Sequence, residues 1–289
     1  MAIARYALGC PAWGLKSWSG RLFDPATPAS DYLRCYAQVF NAVEGNTTFY
    51  ALPKPETVAR WCEDTPEDFT FCFKFPSVIS HELGLAHAAK ETATFLDRIA
   101  PLGPRLGPLM LQLPASFAPD HLPTLARYLE GLPSSCEVAV ELRHRGFFRP
   151  GEAEKRVEGL FARRGVGWVT MDTRGLFAAD RADKHVSATQ RKKPQLPVRP
   201  RHTGQRPVVR FVPHPDWAHN VPLVEPWLRQ LSAWIDGGKR PCFFMHAADD
   251  AEAPAMARAF HERMRATRSD VGELPPWPGE RKTQLSLFS

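Results

Sequence analysis

No run of 18 or more apolar residues occurs in the 289-residue chain, so none of it reads as a membrane-spanning helix. The six cysteines (Cys10, Cys35, Cys62, Cys72, Cys136, Cys242) are scattered and form no C-x-x-C pair. That pattern argues for buried free thiols rather than disulfides or a zinc ribbon. No G-x-G-x-x-G follows the first apolar run, where Gly9-Cys10-Pro11 stands instead, which weakens a dinucleotide-binding reading. No H-x-H or H-E-x-x-H occurs, so the metal signal is weak. Met1-Ala2-Ile3-Ala4-Arg5 runs straight into a strand-like stretch without a signal-peptide layout, and a cytoplasmic location is expected. Acidic residues are absent from Lys184 to Pro207, where seven basic ones stand. The net charge of +6 less those seven leaves −1, so the rest of the chain is near neutral.

Eight short apolar runs are present: Tyr6–Gly9, Ala42–Glu44, Phe69–Lys74, Leu109–Leu113, Val138–Leu142, Gly167–Met171, Val208–Val212 and Cys242–Met245. Most are continuously apolar, as in Val138-Ala139-Val140, which is how strands buried on both faces of a parallel sheet read. Helical stretches are expected between them, at Ser30–Val39, Pro55–Trp61, Ala86–Ile99, Leu122–Leu132, Glu152–Arg164, Pro222–Ile235 and Pro254–Met264. The pattern predicts an α/β fold, a single-domain (β/α)8 TIM barrel over residues 1–266, with a doubly wound open sheet as the competitor. A basic, Pro-rich and mobile insertion at 184–207 and a flexible tail at 267–289 complete the expected layout.

In a barrel, chemistry gathers at the C-terminal ends of the strands. The stretch Val43-Glu44-Gly45-Asn46-Thr47-Thr48-Phe49-Tyr50 leads from an apolar strand into polar groups. If the strand continues, Glu44, Asn46 and Thr48 share one face. The other ends contribute Cys10 and Trp13, Lys74 with Ser80-His81, Gln112, Glu141 with Arg143 and His144, Asp172, Arg210, and His246. Any one of these is unremarkable as a solvated or paired group. All eight ends being polar points to a site, because ionised groups in a barrel mouth cost several kcal/mol unless paired.

Two chemistries fit this set. Lys74, Arg143 and Arg210 would hold an anion, while Glu44 and Glu141 act across the mouth as acid, base or nucleophile and His144 or His81 moves protons. Alternatively, the carboxylates with His144, His81 or His246 hold a divalent metal. Asn46, Tyr50, Gln112, Asp172, His246 and Trp13 complete the candidate substrate contacts.

The sequence resembles a known family through Gly9-Cys10-Pro11-Ala12-Trp13, Val43–Tyr50 with Pro53, Phe71-Cys72-Phe73-Lys74-Phe75-Pro76 with Ser80-His81, Leu111-Gln112-Leu113-Pro114, Val140-Glu141-Leu142-Arg143-His144 and Val209-Arg210. It is similar to the YecE-like family, domain-of-unknown-function family 72. That resemblance implies a (β/α)8 barrel and supplies no reaction. The family's motif positions fall here on Glu44, Asn46, Tyr50, Lys74, His81, Gln112, Glu141, Arg143, His144 and Arg210. Two departures stand out. Phe211-Val212-Pro213-His214-Pro215 replaces the family's His-Gly after the strand-seven arginine, and Met245-His246-Ala247 replaces its asparagine pair on strand eight.

Near the C-terminus, Gln284-Leu285-Ser286-Leu287-Phe288 looks like the peptide by which bacterial repair proteins dock on the sliding clamp. Leu287 and Phe288 would enter an apolar pocket while Gln284 and Leu285 fix register, on a tether at 269–283 reaching up to about 50 Å. The alternative is a tail that folds back onto the barrel. Segment 184–207 could in turn contact nucleic-acid phosphates. Three functions are thus expected to compete: a hydrolase-like enzyme on a phosphate-bearing substrate brought to DNA by the clamp, a metabolic enzyme on a small sugar or sugar phosphate, and a non-catalytic ligand-binding adaptor.

Overall fold

The structure is a computed structural model, and it describes residue 3 and residues 5–280. Eight parallel strands are present: β1 (Ala7–Gly9), β2 (Ala42–Gly45), β3 (Thr70–Phe73), β4 (Leu109–Gln112), β5 (Val138–Glu141), β6 (Gly167–Asp172), β7 (Val208–Phe211) and β8 (Cys242–Met245). They pair as a six-stranded sheet in the order β1-β8-β7-β6-β5-β4 and a two-stranded sheet β2-β3. The ten α-helices of the described residues are α1 (Tyr32–Ala37), α2 (Thr47–Tyr50), α3 (Pro55–Asp64), α4 (Ala89–Ile99), α5 (Leu122–Glu130), α6 (Glu152–Arg164), α7 (Arg174–Ala178), α8 (Lys184–Lys192), α9 (Val221–Asp236) and α10 (Ala253–Thr267).

The regular ladder is therefore open at β1/β2 and β3/β4, where a closed barrel would be continuous. Both gaps are spanned by other bonds. Gly107 N donates to Phe71 O and Phe75 N to Met110 O across the second gap. At the first, the buried Tyr36 hydroxyl donates to Ala42 O (2.9 Å) and accepts from Cys10 N (2.7 Å), standing in for a missing ladder bond. Glycine is required at position 9, because a Cβ there would lie 2.0 Å from Ala42 O. All eight strands also feed one interior cluster of Ala7, Ala42, Cys72, Met110, Ala139, Val169, Val208, Cys242 and Phe244. The architecture is TIM-like, with a shared interior and an interrupted hydrogen-bond ladder.

Three expectations change. The strand begun at Ala42 stops at Gly45, and α2 follows, so Glu44, Asn46 and Thr48 do not share a strand face. Thr48 is structural: its hydroxyl donates to Lys74 O at 2.6 Å. Residues 184–207 are not a loose loop. Asp183 caps α8 by accepting from His185 N and Val186 N, and buried Gln190 donates to Leu176 O at 2.8 Å. Arg199 and Arg201 pair with Glu154, and Arg206 with Glu137, so three of the seven cations are neutralised against the barrel wall. Finally, the linker reading fails for 268–280. Val271 and Trp277 are buried, Gly279 N donates to Leu22 O, and Arg258 stacks 3.6 Å from the Trp277 ring while pairing with Glu280.

Candidate functional site

Strand periodicity builds the site. Side chains two residues apart share a face. Stepping two residues on from the interior positions Ala42, Cys72, Met110, Ala139, Val208 and Phe244 reaches Glu44, Lys74, Gln112, Glu141, Arg210 and His246. The apolar interior layer thus carries a polar layer directly above it, at the C-terminal mouth.

Arg210 is the centre of that layer. Its Nε and Nη2 donate to Glu44 Oε2 (2.8 Å) and Oε1 (2.7 Å), a bidentate pair. Its Nη1 donates to Glu141 Oε2 at 2.5 Å. Arg143 Nε takes the other Glu141 oxygen (2.5 Å), and its Nη2 donates to Gln112 Oε1 (2.8 Å). Lys74 Nζ donates to the same Gln112 oxygen at 3.1 Å and lies 3.8 Å from Glu44 Oε1. His246 Nε2 sits 2.9 Å from Glu44 Oε2. Glu44, Glu141, Arg210, Lys74, Gln112 and His246 are all buried.

Burial raises the Glu44 carboxyl, but Arg210, His246 and Lys74 outweigh it and hold it well below the usual carboxylate range. Burial likewise raises Glu141, and Arg143 with Arg210 outweighs it and holds it well below the usual carboxylate range. Both are anions at neutral pH with every oxygen engaged. Neither is placed to donate a proton, which counts against the acid role expected of the pair. Burial lowers Arg210, and the two glutamates more than offset this, so it stays charged. Burial brings His246 down to about 3, against the pull of Glu44. It is therefore neutral and donates Nε2–H to the carboxylate.

A cavity of about 390 Å3 lies against this layer, and Asn46, Tyr50, Lys74, Gln112, Arg143, Arg210 and His246 all reach it. Tyr50 is 82% exposed, at its rim. Lys192, Lys193, Thr189 and Asp250 line it as well. These four were missed at strand ends because two elements outside the barrel strands bring them in. Thr189 and Lys192 lie on α8, which a Thr189 hydroxyl bond to Ala248 O (3.2 Å) ties across the mouth, and Asp250 follows β8. The seven-cation run was the available signal for Lys192 and Lys193.

The remaining described candidates are not among the residues lining the cavity, though His81 stands behind its Phe49 wall and near Arg143 and Lys74. His81, in the wide turn Val78–Glu82, packs edge-on against Phe49 and bonds Ser80 Oγ. His144 Nδ1 accepts from Gly146 N (3.0 Å), a local cap. Trp13 packs edge-on against Trp61 and Phe71 in the outer core. Asp172 is three residues from interior Val169, hence on the opposite face, where it accepts from Trp227 Nε1 (2.8 Å) and three times from Arg174, through its backbone N, Nε and Nη2. Gln284, Leu285, Leu287 and Phe288 lie outside the described residues. Among the described residues, no three His, Cys, Asp or Glu side chains gather as a metal site. Glu44 and Glu141 are already paired with Arg210, Arg143 and Lys74.

Residues 7–282 match the family described as "Protein of unknown function DUF72". The chain belongs to that family. The UPF0759 protein YecE of Escherichia coli K12, and that of strain O157:H7, are each 41% identical over 281 residues, covering 97% of this chain and 99% of the relative. The crystal structure of the DUF72 family protein TM1631 from Thermotoga maritima MSB8 superposes with a TM-score of 0.68 at 20% identity, covering 90% of this chain and 99% of that one. The DUF72 protein EF0366 from Enterococcus faecalis V583 gives 0.66 at 20% identity, covering 91% and 96%. At that identity the likeness speaks to the fold of this DUF72 chain.

Proposed function

We propose that the mouth of this TIM-like fold binds a small anionic molecule, a phosphate or carboxylate ester or acid, and acts on it as an enzyme. The surplus of cations around the cavity carries the reading. Arg210 and Arg143 are balanced by Glu44 and Glu141. Lys74, Lys192 and Lys193 then face Asp250 alone among the other charged groups lining the cavity. Such a wall favours an incoming anion, and Arg143 retains a donor edge for it. The cavity volume suits a metabolite, so the small sugar-phosphate or carboxylate reading ranks above nucleic acid. The arginines expected to grip a phosphate backbone are spent on Glu154 and Glu137.

Inorganic phosphate is the first probe. Thermal unfolding is followed in phosphate against chloride at matched ionic strength. Saturation at 100 times Kd stabilises by about 2.7 kcal/mol, which the Lys193→Ala variant should largely lose. Equal melting in both salts would remove the anion reading.

Docking of Gln284–Phe288 on a bacterial sliding clamp stands as a separate proposal, supported by the motif itself.

A further inference from the structure

We propose that Lys74 is a nucleophilic amine that forms an imine with the carbonyl carbon of a substrate whose phosphate or carboxylate is held by the cavity's other cations. This rests on the anion-binding reading above and adds the reacting function. Lys74 follows β3 at the position two residues beyond interior Cys72, so its stem is fixed by the barrel wall rather than by a loop. Its amine is buried yet reaches the cavity. Its hydrogen-bond partner is a neutral amide oxygen, Gln112 Oε1. The nearby carboxylate, Glu44, gives its shorter contacts to Arg210 and leaves Lys74 at 3.8 Å. Arg143 shares Gln112 Oε1, which places a second cation beside the amine. Glu44 at 3.8 Å and the Phe49 ring at 5.8 Å favour the ammonium form, but no carboxylate hydrogen bond to the amine is present among the described residues.

Burial and Arg210 bring Lys74 down to about 7, against the opposing pull of Glu44 and Glu141. About half of it is neutral amine at pH 7. One N–H then still bonds Gln112, and the lone pair is available. Lys193, reaching the same cavity, is lowered by burial and Arg210 to about 8 and keeps most of its proton.

The step balances without an oxidant. The amine lone pair attacks the carbonyl carbon and the C=O pair moves to oxygen. A proton passes from nitrogen to that oxygen, giving a carbinolamine. The hydroxyl then leaves as water with a proton from Lys193, and a protonated imine remains.

The test is hydride trapping on the full-length protein. Glyceraldehyde 3-phosphate, pyruvate and uncharged glyceraldehyde are each incubated with it at pH 7.5, with and without sodium cyanoborohydride. Intact mass and peptide mapping follow. The expected result is one adduct on Lys74, dependent on both probe and hydride and at least tenfold faster with the two anionic probes than with glyceraldehyde. Lys74→Arg should stay unlabelled. If that variant does not fold, the mapped position in the unaltered protein decides. The trapping rate should rise through pH 7 as Lys74 loses its proton and fall above pH 8 as Lys193 loses its own, with Glu44, Glu141, Arg143, Arg210 and His81 also facing the amine. Labelling spread over surface lysines, mapped to Lys193, or absent overturns the inference. Stabilisation by phosphate without any adduct would overturn the imine while leaving the anion site standing. An adduct on Lys74 formed equally fast with glyceraldehyde would leave the amine and remove the anion selection.

Discussion

Replacing Arg210 by methionine preserves the length of the side chain and deletes the cation that two buried carboxylates share. Glu44 loses a bidentate partner and Glu141 loses one oxygen's partner, and both carboxylates are buried. Removing one member of a buried ion pair costs about 3–5 kcal/mol, or roughly 6–20 °C of melting temperature for a chain of this size. The pH dependence carries the stronger test. In the unaltered protein both glutamates have depressed pKa values, so their stabilisation is present above the unfolded value near 4.5 and fades as pH falls below it. In Arg210→Met the cation is gone while desolvation stays, and burial already pushes both carboxyls up. Their folded pKa values move up, Glu44's more than Glu141's because Glu141 keeps Arg143, so protonation costs the variant less than it costs the unaltered protein. The deficit relative to the unaltered protein should therefore shrink as pH falls from 7 to 5. Urea denaturation at the two pH values measures it. Adding Glu44→Gln to Arg210→Met should recover part of the loss, since it removes the carboxylate left unpaired. A deficit below about 1 kcal/mol at pH 7, or one that widens toward pH 5, would refute Arg210 as the keystone of the charge layer.

Tyr36→Phe removes the hydroxyl that joins β1 to β2 and leaves Cys10 N–H and Ala42 C=O without that partner. A loss of about 1–3 kcal/mol in urea denaturation is expected, and a neutral result would mean the seam closes by itself. Asp172→Asn should lower stability through its Trp227 and Arg174 bonds while phosphate affinity stays within twofold. A tenfold weaker phosphate titration would return Asp172 to the site.

The eight strands were legible because a strand covered on both faces reads as a short unbroken apolar run, and each run coincides with an observed strand to within a residue or two. The polar layer was legible for the same reason: Glu44, Lys74, Gln112, Glu141, Arg210 and His246 continue the parity of the interior. Asp172 shows where this fails. It ends a six-residue strand, and the parity of that strand is hidden in a run, Gly167-Trp168-Val169-Thr170-Met171, apolar on both sides. Choosing the last polar residue selected the outer face. Lys192 and Lys193 were invisible to strand reasoning because α8 depends on tertiary bonds from Thr189 and Gln190, not on local apolar periodicity. The break at Gly45 was hidden too, since Asn46 and Thr47 suit a strand end or a helix start equally.

The placement of residues 268–280 alters what the clamp-like motif can do. Glu280 is fastened by Arg258, and Gly279 by Leu22 in the segment after β1, so the covalent path to Gln284 spans at most about 14 Å. The segment after β1 lies at the same mouth as the cavity: Trp18 Nε1 donates to the carbonyl of Asp250, a cavity-lining residue. A clamp engaged by Leu287 and Phe288 would consequently sit close to that mouth and restrict entry. Full-length protein should bind immobilised sliding clamp, the Leu287→Ala/Phe288→Ala variant should not, and clamp should slow hydride trapping at Lys74. Binding unchanged by the double substitution would remove the motif from the interaction. Clamp binding with unchanged trapping would show that 14 Å of chain is enough to hold the partner clear of the cavity.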